Sequence, residues 1–232
     1  MNAIITGATK GIGRATAQIF AQQGFNLALI ARGNQDLEEL KKDLESRYAI
    51  EILIFPTDLA LKEEVLRLGD LIKTHWDSVD MLINNAGIFI QSEMLSEEDS
   101  SLENMMNINL YAAYHLTRAI APMMVNQGKG HIFNLCSVAS IKAFANSGSY
   151  VITKFAMLGF TRCLRLELQH KSVKVTAILP GSTDTASWEG VNIPSERLIA
   201  PKEVAQAIWN TWNTGPSVCI EEILLRPMKG DL

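Results

Sequence analysis

The amino-acid sequence predicts an α/β fold, a doubly wound and mostly parallel sheet of seven strands with helices on both faces. Short apolar runs alternate with longer amphipathic segments from end to end, the pattern of repeated βαβ units whose strands are buried on both sides. The first run leads straight into a glycine-rich turn, Thr6-Gly7-Ala8-Thr9-Lys10-Gly11-Ile12-Gly13, and then into a helical pattern. Composition agrees: 232 residues, 47% hydrophobic and 20% charged, suffice for one large covered sheet and are too apolar for a disordered chain.

The strands are expected at roughly 2–6, 25–31, 50–55, 80–83, 130–136, 173–179 and 218–225, each rich in Ile, Leu, Val or Phe. The glycine turn opens a helix from Arg14 to Gln23. Residues 34–47 form another, because Leu37, Leu40 and Leu44 fall three and four apart between charged residues and make one stripe. Long helical segments follow at 98–126 and 150–170, and Pro201 suits the first turn of the last helix. No linker or fixed-period repeat divides the chain, so residues 1–232 are read as one domain, with a substrate loop at about 182–200. Right-handed crossovers place the helices on both faces, and ligands of such sheets bind at the carboxyl ends of the strands.

Several function classes are disfavoured. The net charge is −4 and the longest basic run is the pair Lys41 and Lys42, so no nucleic-acid footprint is expected. Cys136, Cys163 and Cys219 have neither paired spacing nor a histidine cluster, which argues against disulfides and a metal site. His75, His115, His131 and His170 are scattered and read as structural or exposed. Cys136 reads as a small buried strand residue. No apolar stretch approaches the ~20 residues of a membrane span, and the first apolar run is too short for a signal segment. A cytoplasmic protein is the expectation.

The chemistry-bearing residues fall in loops after the strands. The glycines let the backbone turn tightly and approach a pyrophosphate, while the helix amino terminus offers free N–H groups and positive dipole. Alone, the spacing G-x-x-x-G-x-G also fits a plain strand-to-helix turn. Tyr150 and Lys154 stand four apart at the start of a helical segment and so share a face. Ser137 ends the fifth strand thirteen residues before Tyr150, and Asn109 lies in Asn107-Ile108-Asn109-Leu110-Tyr111, in the helix after the fourth strand.

Together these motifs resemble the short-chain dehydrogenase/reductase family, in its short single-domain branch. Asp58 after the third strand, Asn84-Asn85-Ala86-Gly87 after the fourth, and Pro180-Gly181 with Thr183 and Thr185 after the sixth also match, and the resemblance runs over essentially the whole chain. It implies a Rossmann-like fold, a nicotinamide cofactor and a catalytic tetrad of Asn109, Ser137, Tyr150 and Lys154. It further implies cofactor contacts at Gly7, Thr9, Lys10, Gly11, Ile12, Gly13, Arg32, Asp58, Asn85, Tyr150, Lys154, Thr183 and Thr185. Asp58 would meet the adenine, and Thr183 and Thr185 the carboxamide.

The end of the second strand decides between cofactors, since NAD-specific proteins place an acid there against the ribose hydroxyl. Here that place reads Ile30-Ala31-Arg32. A 2′-phosphate meets no carboxylate there and can pair with the Arg32 guanidinium, with Lys10 as a second cation, so NADP(H) is expected over NAD(H). Hydride delivery to a carbonyl carbon leaves charge on its oxygen, which calls for a proton donor beside it. Tyr150 is the expected donor. Phenols ionise near pH ~10, and an ammonium ~4 Å away stabilises a phenolate by roughly 4 kcal/mol at an effective dielectric of ~20. Ser137 would hydrogen-bond the substrate oxygen, and Asn109 would hold a water linking Lys154 to solvent.

Two rivals are a regulatory protein that binds NADP without catalysis and a sugar-nucleotide epimerase, which shares Tyr-x-x-x-Lys. The first usually lacks part of the tetrad; the second carries a larger carboxyl-terminal region than the 52 residues that follow Pro180. The expected pocket walls are Ile88-Phe89-Ile90, Val138 to Ala145 and Trp188 to Ile193, largely apolar, with Trp188 against the substrate and Lys142 toward either water or substrate. A medium-sized apolar ketone or 3-oxoacyl compound is the expected substrate. Met105, Leu116, Met157 and Leu164 exceed what one sheet face needs, and the family commonly pairs these two helices between subunits, so a homodimer or homotetramer is expected.

Overall fold

The computed structural model describes residues 1–186 and 193–230, apart from the side chain of Ser195. Seven strands form one sheet: β1 (Asn2–Thr6), β2 (Asn26–Ala31), β3 (Ile52–Pro56), β4 (Met81–Asn84), β5 (Gly130–Leu135), β6 (Val173–Pro180) and β7 (Glu222–Leu225). Their order is β3-β2-β1-β4-β5-β6-β7, and every pairing is parallel. The sequence expectation of a mostly parallel sheet is therefore met in its strongest form. The order reverses direction between β1 and β4, where the crossovers diverge and leave a crevice above the strand ends.

Strand alternation sends successive side chains to opposite faces. Ala3 and Ile5 of β1, Leu27 and Leu29 of β2, and Met81 and Ile83 of β4 enter one core, where α1 (Gly11–Gln22), α2 (Asn34–Arg47) and α7 (Pro201–Trp212) pack. Ile4, Ala28, Ile30 and Leu82 enter the other, beneath α3 (Lys62–His75) and α5 (Ala112–Gln127). Between α1 and α7, Phe20, Phe25 and Trp209 meet edge-to-face with centroids 5.1–6.3 Å apart, a favourable geometry for aromatic pairs. No helix among the described residues is long and apolar enough to cross a membrane.

The helix expected at 34–47 has those bounds, and Pro201 opens α7. The segment expected as one helix over 98–126 is three pieces: α4 (Ser101–Met106), a π-helical turn (Asn107–Tyr111) and α5. A π turn inserts one residue into the helical ladder and re-aims the side chains around it. Here it buries Asn109, which is 1% exposed. The helix expected at 150–170 is α6 (Gly148–Leu168), continued by a tight turn, Gln169–Lys171. The last strand, expected at 218–225, is shorter: only Glu222–Leu225 pair with β6.

His131, on β5, is 1% exposed. Thr176 Oγ1 donates to the Ile220 carbonyl at 2.6 Å, so the 2.7 Å contact between His131 Nε2 and that hydroxyl is a bond donated by the imidazole. Nδ1 is then the unprotonated nitrogen, and it has no hydrogen-bond partner. Burial, and secondarily Lys174, lower the imidazole pKa from 6.5 to about 3. The unfolded chain thus binds a proton that the folded chain refuses across that interval, so the stability contribution is whole above pH 6.5 and is lost as pH falls toward 3. Below pH 6, down to 4.5, urea unfolding should lose stability more steeply in the native protein than in His131→Gln, the difference approaching about 1.4 kcal/mol per pH unit. Parallel slopes for the two proteins would refute the neutral buried imidazole.

Candidate active site

The turn between β1 and α1 is built around a close approach. Gly7 (φ +65°) and Gly11 (φ +51°) adopt a left-handed backbone that side chains rarely tolerate. Gly13 lies so close beneath the turn that any Cβ there would overlap the Gly7 carbonyl and the Asn85 amide. Asn85 joins this turn to the one after β4: its Nδ2 donates to the carbonyls of Thr6 (2.8 Å) and Gly7 (3.2 Å). Thr6 Oγ1 in turn accepts from the backbone N–H groups of Asn85 (2.9 Å) and Ala86 (3.0 Å).

A cavity of about 950 Å³ runs along the carboxyl ends of the strands, across the β1–β4 crevice. Gly7, Thr9, Lys10, Gly11, Ile12, Arg32, Asp58, Asn85, Thr183 and Thr185 line it, whereas Gly13, also expected against a cofactor, is buried beneath the turn and does not border the space. Lys10 and Arg32 are exposed on its wall. Asp58 accepts from the Ala60 N–H at 3.0 Å, which fixes the turn after β3. The Thr183 hydroxyl donates to the Gly181 carbonyl at 2.9 Å, and Thr183 and Ile199 form an isolated parallel bridge. Sequence reasoning missed Asp36, an acid in the first turn of α2 that lines the same wall beside Arg32 and Gly33. Its position inside a helix, past the strand end, hid it.

At the other end of the cavity stand Ser137, Tyr150 and Lys154. Lys154 is 6% exposed and donates to the Leu135 carbonyl at 2.8 Å, which leaves two ammonium hydrogens. Its Nζ lies 5.7 Å from the centroid of the Tyr150 ring. Ser137 Oγ accepts from the Ala139 N–H at 3.0 Å, and its own hydrogen remains to be donated. Asn109 sits just behind: its Nδ2 donates to the Ile88 carbonyl and to Thr153 Oγ1, both at 3.0 Å, and its Oδ1 accepts from the Ile88 N–H at 2.8 Å. Both Nδ2 hydrogens are used within the chain, so only the second lone pair of Oδ1 is left for a water. A Cβ on Gly87 would stand 3.2 Å from that Oδ1 and 3.7 Å from Lys154 Nζ; glycine keeps the space between them open.

The substrate side departs in part from expectation. Ile88 and Phe89 line the cavity, but Ile90 is 38% exposed and Gln91 takes the wall position. The segment after β4 is irregular: consecutive residues Asn85 to Phe89 face the cavity and only Ile90 turns out before Gln91. Val138, Ala139, Phe144 and Ala145 line it, whereas Lys142 is exposed with its ammonium 5.2 Å from the Phe144 ring centroid. Lys142 therefore faces water. Phe89 packs edge-on against Tyr150 at 4.9 Å between centroids. Ile193 borders a neighbouring cavity of about 720 Å³; Trp188 and Val191 lie outside the described residues. Cys136 is buried beside Thr161, and burial pushes its thiol up, against the opposing charge of Lys154, so the neutral form prevails.

The residues expected to extend the subunit surface do not. Met105, Leu116 and Met157 are 0–2% exposed inside the protomer, and Leu164 is half-buried against the core. Leu116, Leu164 and Met157 pack in the cores against the sheet, and Met105 is buried in α4, which packs on α6 and the π turn. The exposed apolar side chains of these helices are instead Tyr111, Tyr114, Ile152, Phe155 and Leu166.

A family model described as short chain dehydrogenase matches residues 1–195. Sepiapterin reductase of Chlorobaculum tepidum is 34% identical over 239 aligned residues, covering 99% of this chain and 97% of the reductase. The alcohol dehydrogenase of the archaeon Thermococcus sibiricus, complexed with 5-hydroxy-NADP, has a similar structure: TM-score 0.93, 26% identity, 100% of this chain and 98% of that one. A metagenomic short-chain oxidoreductase in complex with NADP gives TM-score 0.86 and 26% identity over 98% of this chain and 97% of its own.

Proposed function

The chain belongs to the short-chain dehydrogenase family of oxidoreductases, and from that premise we propose that it interconverts a carbonyl and a secondary alcohol with NADP(H), Tyr150 acting as general acid and base. The observation that carries this reading is the convergence of Ser137, Tyr150 and Lys154 at one end of a cavity whose other end is the glycine turn. That cavity fits an extended dinucleotide: Gly7 and Gly11, at positive φ and packed closely on Asn85, Ala86 and Thr185, turn the chain into the amino terminus of α1, which suits a phosphate. When bound, the nicotinamide supplies or accepts the hydride. Ser137 donates its free hydrogen to the substrate oxygen and orients it. Tyr150 gives the proton as charge develops there, and the two remaining hydrogens of Lys154 are available to the cofactor ribose and the phenol. Asn109 holds the loop at Ile88 and, through Oδ1, a water that returns the proton from solvent to Lys154.

The preference for NADP(H) rests on Arg32 and Lys10 on the wall where a 2′-phosphate would lie, and on the NADP-type ligands of the two structural relatives. Asp36 on the same wall moderates that preference without abolishing it, since the guanidinium and ammonium outnumber it. The substrate wall of Ile88, Phe89, Val138, Ala139, Phe144 and Ala145 supports a medium-sized, mainly apolar ketone or 3-oxoacyl compound. Because all three cysteines are free, a reducing, cytoplasmic setting suits the chain. The exposed apolar set on the π turn, α5 and α6 supports a symmetric dimer or tetramer, through residues other than those first expected.

Three outcomes test this reading. A panel of ketones and 3-oxoacyl thioesters, followed by NADPH absorbance, should give at least about tenfold higher kcat/KM with NADPH than with NADH, and Arg32→Asp should narrow the gap; equal use of the two cofactors refutes the preference. Tyr150→Phe should abolish turnover while NADPH binding, read by cofactor fluorescence, persists; retained activity would overturn the proton-donor assignment. Light scattering at micromolar concentration should give a dimer or tetramer mass, reduced in Phe155→Glu, and a monomeric native protein would refute the assembly.

A further inference from the structure

Residues 85–100, between β4 and α4, form one wall of the cavity's substrate end through Ile88, Phe89 and Gln91. Residues 141–147, ahead of α6, form the facing wall through Phe144, Ala145 and Ser147. The two segments are fastened to each other. Ser92 and Ser147 make an isolated parallel bridge, and the Ser92 N–H donates to the Asn146 carbonyl at 3.0 Å. Asn146 is held at φ +53°, a left-handed conformation outside glycine that persists only where its surroundings fix it. Met94 packs so tightly on Gly148 that a Cβ there would overlap its side chain.

The carboxylate of Glu97 spans this junction. One oxygen accepts from Ser92 Oγ at 2.8 Å, and the other from Ser149 Oγ. Ser149 is 1% exposed and immediately precedes Tyr150. Glu97 is half-buried, while its neighbours Glu93 to Ser96 and Glu98 to Ser100 are all exposed. The first turn of α6 has no acidic residue of its own, and Ser147 at its cap makes no side-chain capping bond. A carboxylate there also meets the positive end of the helix dipole. Glu97 thus supplies from a distant loop what the α6 sequence omits.

We propose that Glu97 is a positioning residue, which fixes the orientation of Tyr150 by tying Ser149 at the foot of α6 to Ser92 in the loop whose Phe89 ring braces the tyrosine. This rests on the reading of Tyr150 as the proton donor. The effect is transmitted along two routes. One is the backbone from Ser149 to Tyr150; the other runs from Ser92 back to Phe89, whose edge meets the Tyr150 ring at 4.9 Å between centroids. A small misplacement of a reacting group is enough to lower turnover by one to two orders of magnitude. Cofactor binding should be spared, because Glu97 is not among the residues that line the cavity.

The test compares native protein, Glu97→Ala and Glu97→Gln, using the best carbonyl from the panel with saturating NADPH. Glutamine keeps the length and can bridge both hydroxyls, accepting from one serine and donating to the other. Glu97→Ala should lose at least about tenfold in kcat with a smaller change in KM. Its NADPH dissociation constant should stay within about twofold of native, and Glu97→Gln should recover at least about half of the native kcat, as expected when only a bridge is restored. Amide hydrogen exchange, which needs no substrate, should rise in Glu97→Ala within residues 88–97 and 145–150 and not in β1 or α1. A kcat within about twofold of native in Glu97→Ala, equal losses in the two variants, or unchanged exchange in both segments would each overturn the positioning role. Native protein inactive on the whole panel would instead refute the reading of Tyr150 and, with it, this inference.

Discussion

The architecture of the site depends on one contact, the approach of Gly13 to the carbonyl of Gly7 with the Asn85 amide bonded across it. Backbone carbonyls at a sharp turn need donors, and here they receive them from a side chain in the turn after β4. The same contact brings α1 down onto the end of β1, so its amino terminus opens toward the crevice. It also fastens the β4 turn, and hence Ala86, Gly87 and Ile88, to the floor of the cavity. Asn109 then takes both backbone groups of Ile88, and through Thr153 it reaches the carbonyl of Tyr150. Glycine turn, β4 turn, π turn and α6 are thereby links of one hydrogen-bonded chain.

Behind this chain lies a polar core. Asn84 donates to Thr117 (3.0 Å) and Asn134 (2.8 Å); Asn134 donates to Thr161 (2.9 Å), and Thr161 to the Met157 carbonyl (2.7 Å). Apart from the branch from Asn84 to Thr117 on α5, the donor directions run one way, from β4 through β5 to α6, so Asn134 cannot flip without leaving a neighbour unpaired. Such a line fixes the rotation and height of α6 against the sheet. Together with the bond from Lys154 to the Leu135 carbonyl, it holds the helix that carries Tyr150 from below, while the loops beside Ser92 and Ser147 hold it from above.

The sheet was legible because its strands are apolar runs of the right length and its helices carry stripes of three and four; Leu37, Leu40 and Leu44 fall inside as their spacing requires. The residues around the cavity were legible because each follows a strand at the end where ligands collect. What escaped is non-local. The π turn leaves no mark in periodicity, yet it is what buries Asn109. Asp36 and Glu97 are acids among other acids in solvent-facing segments, and only the fold reveals that one borders the cavity and the other bridges two serines. The apolar excess on the two long helices was noticed but assigned to the wrong side chains, since a stripe pattern does not say how deeply the sheet covers it.

The Asn85 bond to the Thr6 carbonyl joins residues 79 positions apart. Contacts at such separation close a long loop and come late to a chain that gains its local helices first. The cleft therefore does not exist in a partly collapsed molecule, even one in which β1, α1 and β2 are already paired. Insertion of β4 beside β1 closes only the floor of that cleft; its walls at Ser137, Tyr150 and Lys154 and at Thr183 and Thr185 come from chain made later still.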